Sequence, residues 1–501
     1  MTAREIIRAG APQGCKPFER YLLPPAAFTA MRHALATDST LALLSLWAEP
    51  GLVHAAFLDE EAGGLILAPC PAESHYPALS PVRPGAVRFE RAIRDLWGLD
   101  AEGGVDLRPW LDHGRWPNHA PLSRKPARVA GPPAPFPFLE TEGEGWHQIP
   151  VGPVHAGVIE PGHFRFTVQG ETIIRLETRL GYAHKGTLAL IAGRSPRMAA
   201  RFAARLSGDS TVAHSLAFAL AAEVASGAVP PPRAVTLRAA MLEVERIANH
   251  LNDWGFICND AAFPYPHARC GALREGVLRA NEAAFGHRLL MDRVIPGGLA
   301  ADIASNGAEA ILAALAAAEA ELPTLLRIYD DHASLQDRVV GTGVLRLDLA
   351  ARFAAGGVVG RASGRPFDAR RALPHPPYDA FPVAMPVLTE GDVDARVRVR
   401  VAELRESMAL VRTLLGALEP GEVYAPLPPA GGEGVGVVES FRGEIVTWLA
   451  LDPGGLIRSA FPRDPSWVQW PLLEAAVEGN IVADFPLCNK SFNLSYSGVD
   501  L

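Results

Sequence analysis

Cysteine is scarce in this sequence and never paired: Cys15, Cys70, Cys258, Cys270 and Cys488 form no C-x-x-C spacing. That excludes a cysteine-ligated zinc ribbon, and the odd number speaks against a disulfide framework, so a reducing cytoplasm is the expected setting. Lysine is scarcer still, with four residues in a chain of net charge −8. Without a basic footprint, nucleic acid is excluded as a partner. Long apolar runs are missing too. The alanine-rich candidates carry Glu223, or Glu309, Glu319 and Glu321, which argues against a membrane span. Met1–Arg8 lacks the apolar core of a secretory leader.

What is present suffices for several cores: 501 residues, 49% of them hydrophobic, predict two to four domains. Residues 1–120 read as an α+β domain. It has a helix over Pro24–Leu35, apolar strands at Thr40–Ala48 and Leu52–Leu58, and an acidic turn before Leu65–Ala68. Phe89–Trp97, stopped by Gly98, has helical spacing, and Asp106–Pro117 is too rich in Pro, Gly and Trp for a regular element. Residues 121–146 read as a linker of Pro, Gly and Glu, extended from Gly131 to Pro137. Residues 147–501 form the remaining, mainly helical domain. A hairpin turning at Gln169-Gly170 precedes helices over Arg201–Ala225, Arg233–Phe256, Gly271–Arg293, Ala308–Asp331 and Arg396–Leu418. A Gly/Arg-rich loop is expected at Gly356–Arg371, and a second hairpin pairs Val435–Glu439 with Ile445–Leu451.

Two stretches carry the chemistry. Ser207 and Ser210 stand three apart, as do Ser495 and Gly498. Two cysteine pairs at this spacing would clamp a metal from two sides, yet none of the four is cysteine. Asp209 lies between the first two serines and His214 follows, but no nucleophile elbow or oxyanion loop accompanies this Ser/Asp/His set. His155, His163 and His184 gather around the first hairpin at spacings that fit no finger, and hydrogen-bonded histidines on a sheet are the plainer reading. On the second helix Glu243, Arg246 and His250 share a stripe, and Glu245 and Asn249 the neighbouring one. Buried, such a set needs internal partners, and a structural network is as good a reading as a proton path. Gly431–Gly436 lacks a P-loop lysine and reads as a turn between elements.

An ordered series of further motifs runs through nearly the whole chain. It comprises Glu90-Arg91-x-x-x-Asp95-Leu-Trp-Gly98, Gly152-Pro-Val-His155, Glu160-Pro-Gly-His163, Gly181-Tyr-Ala-His184-Lys-Gly186, Glu243-x-Glu-Arg-x-x-Asn-His250 and Pro296-Gly-Gly298. Arg361-Ala-Ser-Gly364, Gly391-Asp-Val-x-Ala-Arg396, Glu439-x-x-Arg-Gly-Glu444 and Arg463-Asp-Pro-Ser466 follow. In this order they resemble the fused large subunits of energy-converting nickel–iron hydrogenases and the related quinone-site subunit of complex I, with its small companion as the first domain. The resemblance implies an α+β N-terminal domain followed by a large, mainly helical hydrogenase-large-subunit-like domain with small β-hairpins.

Matching the hydrogenase motif R-x-C-G-x-C-x-x-x-H onto Arg205–His214 puts Ser207 and Ser210 at thiolate positions, and the D-P-C-x-x-C motif puts Ser495 and Gly498 there, with Asn493-Leu494 in place of Asp-Pro. Serine is a poor ligand for a soft metal and glycine is none, so no metal is expected. The complex I pattern is broken as well. Its quinone histidine position falls on Ile159, its tyrosine on Gly208 and a family glutamate on Leu188. The retained inward-facing set implied by the resemblance is His155, His163, Arg205, Asp209 and His214 with the Glu243–His250 helix, and His155 or His214 would meet any bound quinone. The implied partners are an iron–sulfur small subunit, which would carry the clusters, and antiporter-like and anchoring membrane subunits. The implied place is peripheral, on the inner face of the cytoplasmic membrane, in an NADH-dehydrogenase- or hydrogenase-like complex. A non-catalytic scaffold is the alternative, and a working nickel–iron hydrogenase the remote one.

Overall fold

The computed structural model describes residues 1–128, 132–155 and 159–501. The N-terminal region is built on a five-stranded sheet. Leu41–Glu49, Leu52–Asp59 and Leu65–Pro71 form an antiparallel meander, and Glu19–Leu22 joins Leu65–Pro71 in parallel. The run Leu41–Glu49 is buried at every position, as a mostly apolar sequence predicts for a strand covered on both faces. The helix Val87–Trp97 covers one side, ending at Gly98 with φ of 69°, a left-handed cap that glycine adopts without strain. Beyond it the irregular stretch is ordered by one side chain: Asp95 accepts hydrogen bonds from the backbone N–H groups of Trp110, Leu111 and Asp112 at 2.7, 2.7 and 3.1 Å.

The rest is a helical bundle flanked by two three-stranded sheets. Trp146–Val151 adds to the hairpin His163–Gln169/Thr172–Arg179, and Gly432–Ser440, Gly443–Leu451 and Ile457–Arg463 form the second sheet. The largest hydrophobic cluster joins Trp47 and Phe89 of the first region to Trp448, Phe461 and Trp467 of the last. Phe89 stacks on Trp467 with ring centres 4.7 Å apart. Between them the segment 132–146 is held to the first hairpin: Phe136 lies under Arg179 and Phe138 under Arg165, each at 4.3 Å. Gly131, the first residue of the expected extended stretch, lies outside the described residues together with residues 129–130 of the linker.

Four expectations are corrected. The helix expected over Arg201–Ala225 is two, Pro196–Ala203 and Thr211–Ser226, because residues 204–210 turn out of helical geometry at the serines. The helix over Gly271–Arg293 is Pro264–Phe285 and stops at Gly286, again left-handed. Gly356–Arg371 holds a short buried helix, Gly357–Ala362, and the start of a second, Ala369–Ala372, because the charges of Arg361 and Arg370 find internal partners rather than water. Finally, Gly431–Gly436 is not a turn, since strand geometry begins at Gly432. A Cβ on Gly432, Gly434 or Gly436 would lie 2.2, 2.1 or 2.1 Å from the carbonyl oxygens of Ala225, Ala221 and Ala217. The glycines clear a path for the helix backbone. Two strand residues rise about 6.6 Å and four helical residues about 6 Å, so alternate glycines keep step with every fourth residue.

Candidate functional site

The glycine-lined strand runs antiparallel to the helix Thr211–Ser226, so the turn after Ser440 arrives at the helix N-terminus. There it delivers Arg442. This guanidinium is buried and donates to Asp209 Oδ1 at 3.1 Å, Ser210 Oγ at 3.4 Å and Ser207 Oγ at 3.5 Å. It also pairs with Asp209 Oδ2 and donates through Nε to the Asn493 carbonyl. Burial opposes its charge, but Asp209 and Asp464 outweigh that and raise its pKa.

The C-terminal motif enters from the opposite side. Asn493, at φ of 50°, ends the helix Phe485–Phe492 in the left-handed conformation, which asparagine tolerates better than most residues. The chain then turns so that Ser495 Oγ lies 2.9 Å from Ser207 Oγ and accepts from Gly498 N at 2.9 Å. Ser207 also donates to Asp209 at 2.8 Å. A Cβ at Gly498 would stand 2.9 Å from both the Asp464 carboxylate and Ser495 Oγ. All four spaced positions therefore converge, and hydroxyls, a backbone N–H and Arg442 fill the space between them.

His214 joins from the helix, its Nε2 3.0 Å from Asp464 Oδ2, with both side chains 1% exposed. Burial works against ionisation of Asp464, but the hydrogen bond from His214, Arg442 and Ser466 hold its carboxyl well below the usual range. The helix N-terminus is capped from another element: Glu245 accepts from Val212 N at 2.6 Å and Ala213 N at 3.0 Å. Burial nonetheless pushes the Glu245 carboxyl up to about 8. Asn249, one turn on, donates to the Asp209 carbonyl at 2.7 Å.

The other stripe of that helix, Pro232–Asp260, faces a buried ion network. Arg246 reaches Glu403 at 2.7 Å and Glu243 at 3.3 Å, and His250 Nε2 lies 3.1 Å from Glu403. Arg361 bridges Glu403 and Glu439 at 2.7 and 2.9 Å, and Arg370 joins Glu243 to Asp368 at 3.0 and 2.7 Å. Tyr378 and Ser407 donate to Glu243 at 2.7 and 2.6 Å. Against the burial penalty, Arg361, Arg246 and His250 drive the Glu403 pKa far down. Glu439, by contrast, is pushed up to about 7 by burial and by Asp368.

Three of the expected residues stand apart from the serine cluster. Arg205 is exposed and grips Asp292 with both Nη atoms, at 2.7 and 2.8 Å. It is not inward-facing, because the turn at the serines carries it to the surface. His155 Nε2 donates to the Gly162 carbonyl at 2.7 Å, and His163 Nδ1 to that of Gly152 at 3.2 Å. Both histidines brace their own loop. His214 is 1% exposed, and His155, half-buried, spends its Nε2 on the Gly162 carbonyl. Ile159 is 53% exposed and Leu188 packs on the N-terminal core. Sequence reasoning passes over Arg442, Asp464, Glu403, Arg361 and Arg370 as site residues. Arg442, Asp464 and Arg361 lie within the ordered motifs, and that membership is the signal that could have found them.

The chain resembles known proteins along most of its length. Residues 266–430 match the family model "Respiratory-chain NADH dehydrogenase, 49 Kd subunit", and residues 54–131 match the corresponding 30 Kd subunit. Hydrogenase-4 component G of Escherichia coli is 31% identical over 85% of this chain and 76% of its own length. Formate hydrogenlyase subunit 5 of the same organism is 29% identical over 85% of this chain and 77% of its length. An NADH-quinone oxidoreductase subunit of Dehalococcoides mccartyi is 30% identical over 70% of this chain and 97% of its length.

Proposed function

From the premise that this chain belongs to the family uniting hydrogenase large subunits with the 49-kDa-type and 30-kDa-type subunits of NADH dehydrogenase, we propose that it is the large peripheral-arm subunit of a membrane-associated redox complex that works without a nickel–iron centre. One observation carries this reading. The four positions where the family's thiolates are expected converge on one point and hold Ser207, Ser210, Ser495 and Gly498, with Arg442 among them. Hydroxyl oxygens are poor donors to a soft metal, and the guanidinium supplies a fixed positive charge that a cation would have to displace.

The residues favour coupling over chemistry at this site. Ile159 and Gly208 give a quinone headgroup no side-chain donor at the positions where complex I subunits supply one, so no quinone step is built on them. What the chain holds instead is the buried network from Tyr378 through Glu243 and Glu403 to His250, in which Glu439 titrates near neutrality. Its members could hold or release a proton as partner subunits move. A scaffold without a part in turnover is the second reading, and the network weighs against it: each buried ion costs several kcal/mol in desolvation, which a merely structural core has no need to bear. The partners in this reading are an iron–sulfur subunit and membrane subunits on the cytoplasmic face. Among the described residues no helix is long and apolar enough to cross a membrane.

Metal analysis of the intact complex, purified from its native membrane, is the test. Iron and sulfide in a copurifying subunit with nickel below a tenth of an equivalent (a threshold on the order of assay background) is the expected result. Stoichiometric nickel would overturn the proposal.

A further inference from the structure

One long interval of the sequence has no carboxylate. Between Glu177 and Asp209 there is no acidic residue and there are six basic ones, in a chain of net charge −8. Three of the six are satisfied within the molecule. Arg179 donates to the Pro109 and Trp110 carbonyls, Lys185 to those of Arg205 and Leu206, and Arg205 grips Asp292. The other three, Arg194, Arg197 and Arg201, form no ion pair among the described residues. Arg194 lies over the Phe202 ring at 5.4 Å. Arg197 and Arg201 are exposed, and their spacing of four residues on the helix Pro196–Ala203 sets them along one face. The surface here offers two open guanidiniums with no carboxylate of their own.

Arg197 also forms part of the wall of a groove of about 230 Å³. Five prolines, Tyr424 and Leu456 line the same groove, and Arg197 is the sole charged residue among them. Tyr424 and Leu456 are each 41% exposed, and Met198, beside Arg197 on the helix, is 58% exposed. An apolar cavity of about 150 Å³ holds a benzene ring, so the groove has room for one large side chain. Proline backbones are restricted beforehand, which limits the ordering cost of filling it. Apolar surface ringed by cations selects an apolar anchor flanked by anions. A bilayer is the poorer match, because a lipid surface leaves a groove unfilled and so few cations with one methionine make a weak anchor.

We propose that this face receives an acidic segment of a neighbouring protein subunit, with one large apolar side chain in the proline-lined groove and carboxylates against Arg197 and Arg201. The inference rests on the reading of the chain as a subunit of a complex, and adds where one partner meets it and by what chemistry. The same helix leads through Arg205 into the turn that carries Ser207 and Ser210, so the docked segment would lie one short turn from the serine cluster.

Hydroxyl-radical footprinting of the intact complex against the purified full-length chain tests it. Oxidation of Met198 and of Tyr424 should each slow by about tenfold or more in the complex, since a packed interface excludes water. Arg197→Glu combined with Arg201→Glu should lower the salt concentration that releases the chain from the complex by about twofold or more, whereas Arg197→Lys combined with Arg201→Lys should leave it near the original. Both positions are exposed and unpaired, so these variants fold as the unaltered chain does. With Met198 replaced by a diazirine-bearing amino acid, illumination should join the chain to a partner peptide of net negative charge. Equal oxidation in the two states, cross-linking to lipid or to a neutral or basic peptide, or a release salt unmoved by the charge reversal would each overturn the proposal. A chain that purifies alone would overturn this proposal and the proposed function together. An intact complex that leaves this face open overturns only this one, and nickel in the complex only the other.

Discussion

Ser207 Oγ and Ser495 Oγ lie 2.9 Å apart although 288 residues separate them. Both side chains come from short irregular turns at helix ends, and both are buried. The meeting depends on two independent structural decisions. The chain must break helix before Ser210, and Asn493 must turn left-handed after Phe492.

This proximity predicts a cross-link. With cysteine at both positions, mild oxidation should close a disulfide, since side-chain atoms at that separation are compatible with the Cβ spacing of about 3.5–4.5 Å that a disulfide needs. Loss of two free thiols, counted by alkylation and mass spectrometry, is the readout. The chain has five free cysteines of its own, so all seven thiols persisting after oxidation and denaturation, rather than five, would contradict the geometry.

Gly434→Ala should be costly for purely steric reasons. The added methyl would lie 2.1 Å from Ala221 O, and the backbone there has no left-handed requirement. Overpacking of this kind costs about 1–3 kcal/mol, and pushing helix from strand should also displace Arg442. A lowered denaturation midpoint, with Gly416→Ala as the control where a Cβ meets nothing within 4 Å, checks this.

Arg361→Met should destabilise by about 3–5 kcal/mol, the range for removing one partner of a buried ion pair. Glu403 and Glu439, 1% and 0% exposed, would both lose their guanidinium. Substituting Glu439→Gln in the same background should change little further, because Glu439, already pushed up to about 7 by burial and Asp368, takes up a proton once the guanidinium is gone. Denaturant titration of the unaltered chain and the two variants measures both effects.

Glu245 gives a pH dependence of known sign. Burial raises its carboxyl to about 8 in the folded chain, against about 4.3 in an unfolded one. The folded state thus binds more protons than the unfolded state between those values, and this contribution to stability declines as pH rises through that window, levelling above about 8. Glu245→Gln removes the dependence. Relative to the unaltered chain, the variant should gain stability steadily from pH 5 to pH 8 in thermal melts. A difference independent of pH would mean that the carboxyl is ionised throughout.

Periodicity makes the architecture readable, and partnership does not. The strands around Trp47 and the helix ending at Gly98 follow from apolar spacing and a stop signal, both local properties. The separation of Glu243, Arg246 and His250 from Glu245 and Asn249 also follows from 3.6 residues per turn. Whether Arg205 turns in or out depends on a helix break that the run Ser207-Gly208-Asp209-Ser210 signals, although Leu206, Ala213 and Leu216 continue the apolar pattern across it. Likewise Arg442 and Arg361 become site residues only through contacts with carboxylates 233 and 78 positions away. The glycine run misleads for a related reason. Glycine marks close approach as readily as it marks a turn, and what approaches is a helix more than 200 residues earlier in the sequence.

The interlocking of Gly432, Gly434 and Gly436 with Ala217, Ala221 and Ala225 has a mechanical consequence. It works as a vernier with one permitted setting. Slipping the strand by one residue would drive Val435 and Val437 into the helix backbone, and the next setting that clears lies about 6.6 Å away. Small displacements are therefore refused. Any movement transmitted to the tip of this hairpin must carry helix and strand together, so Arg442 travels with Ser207 and Ser210 as one rigid piece.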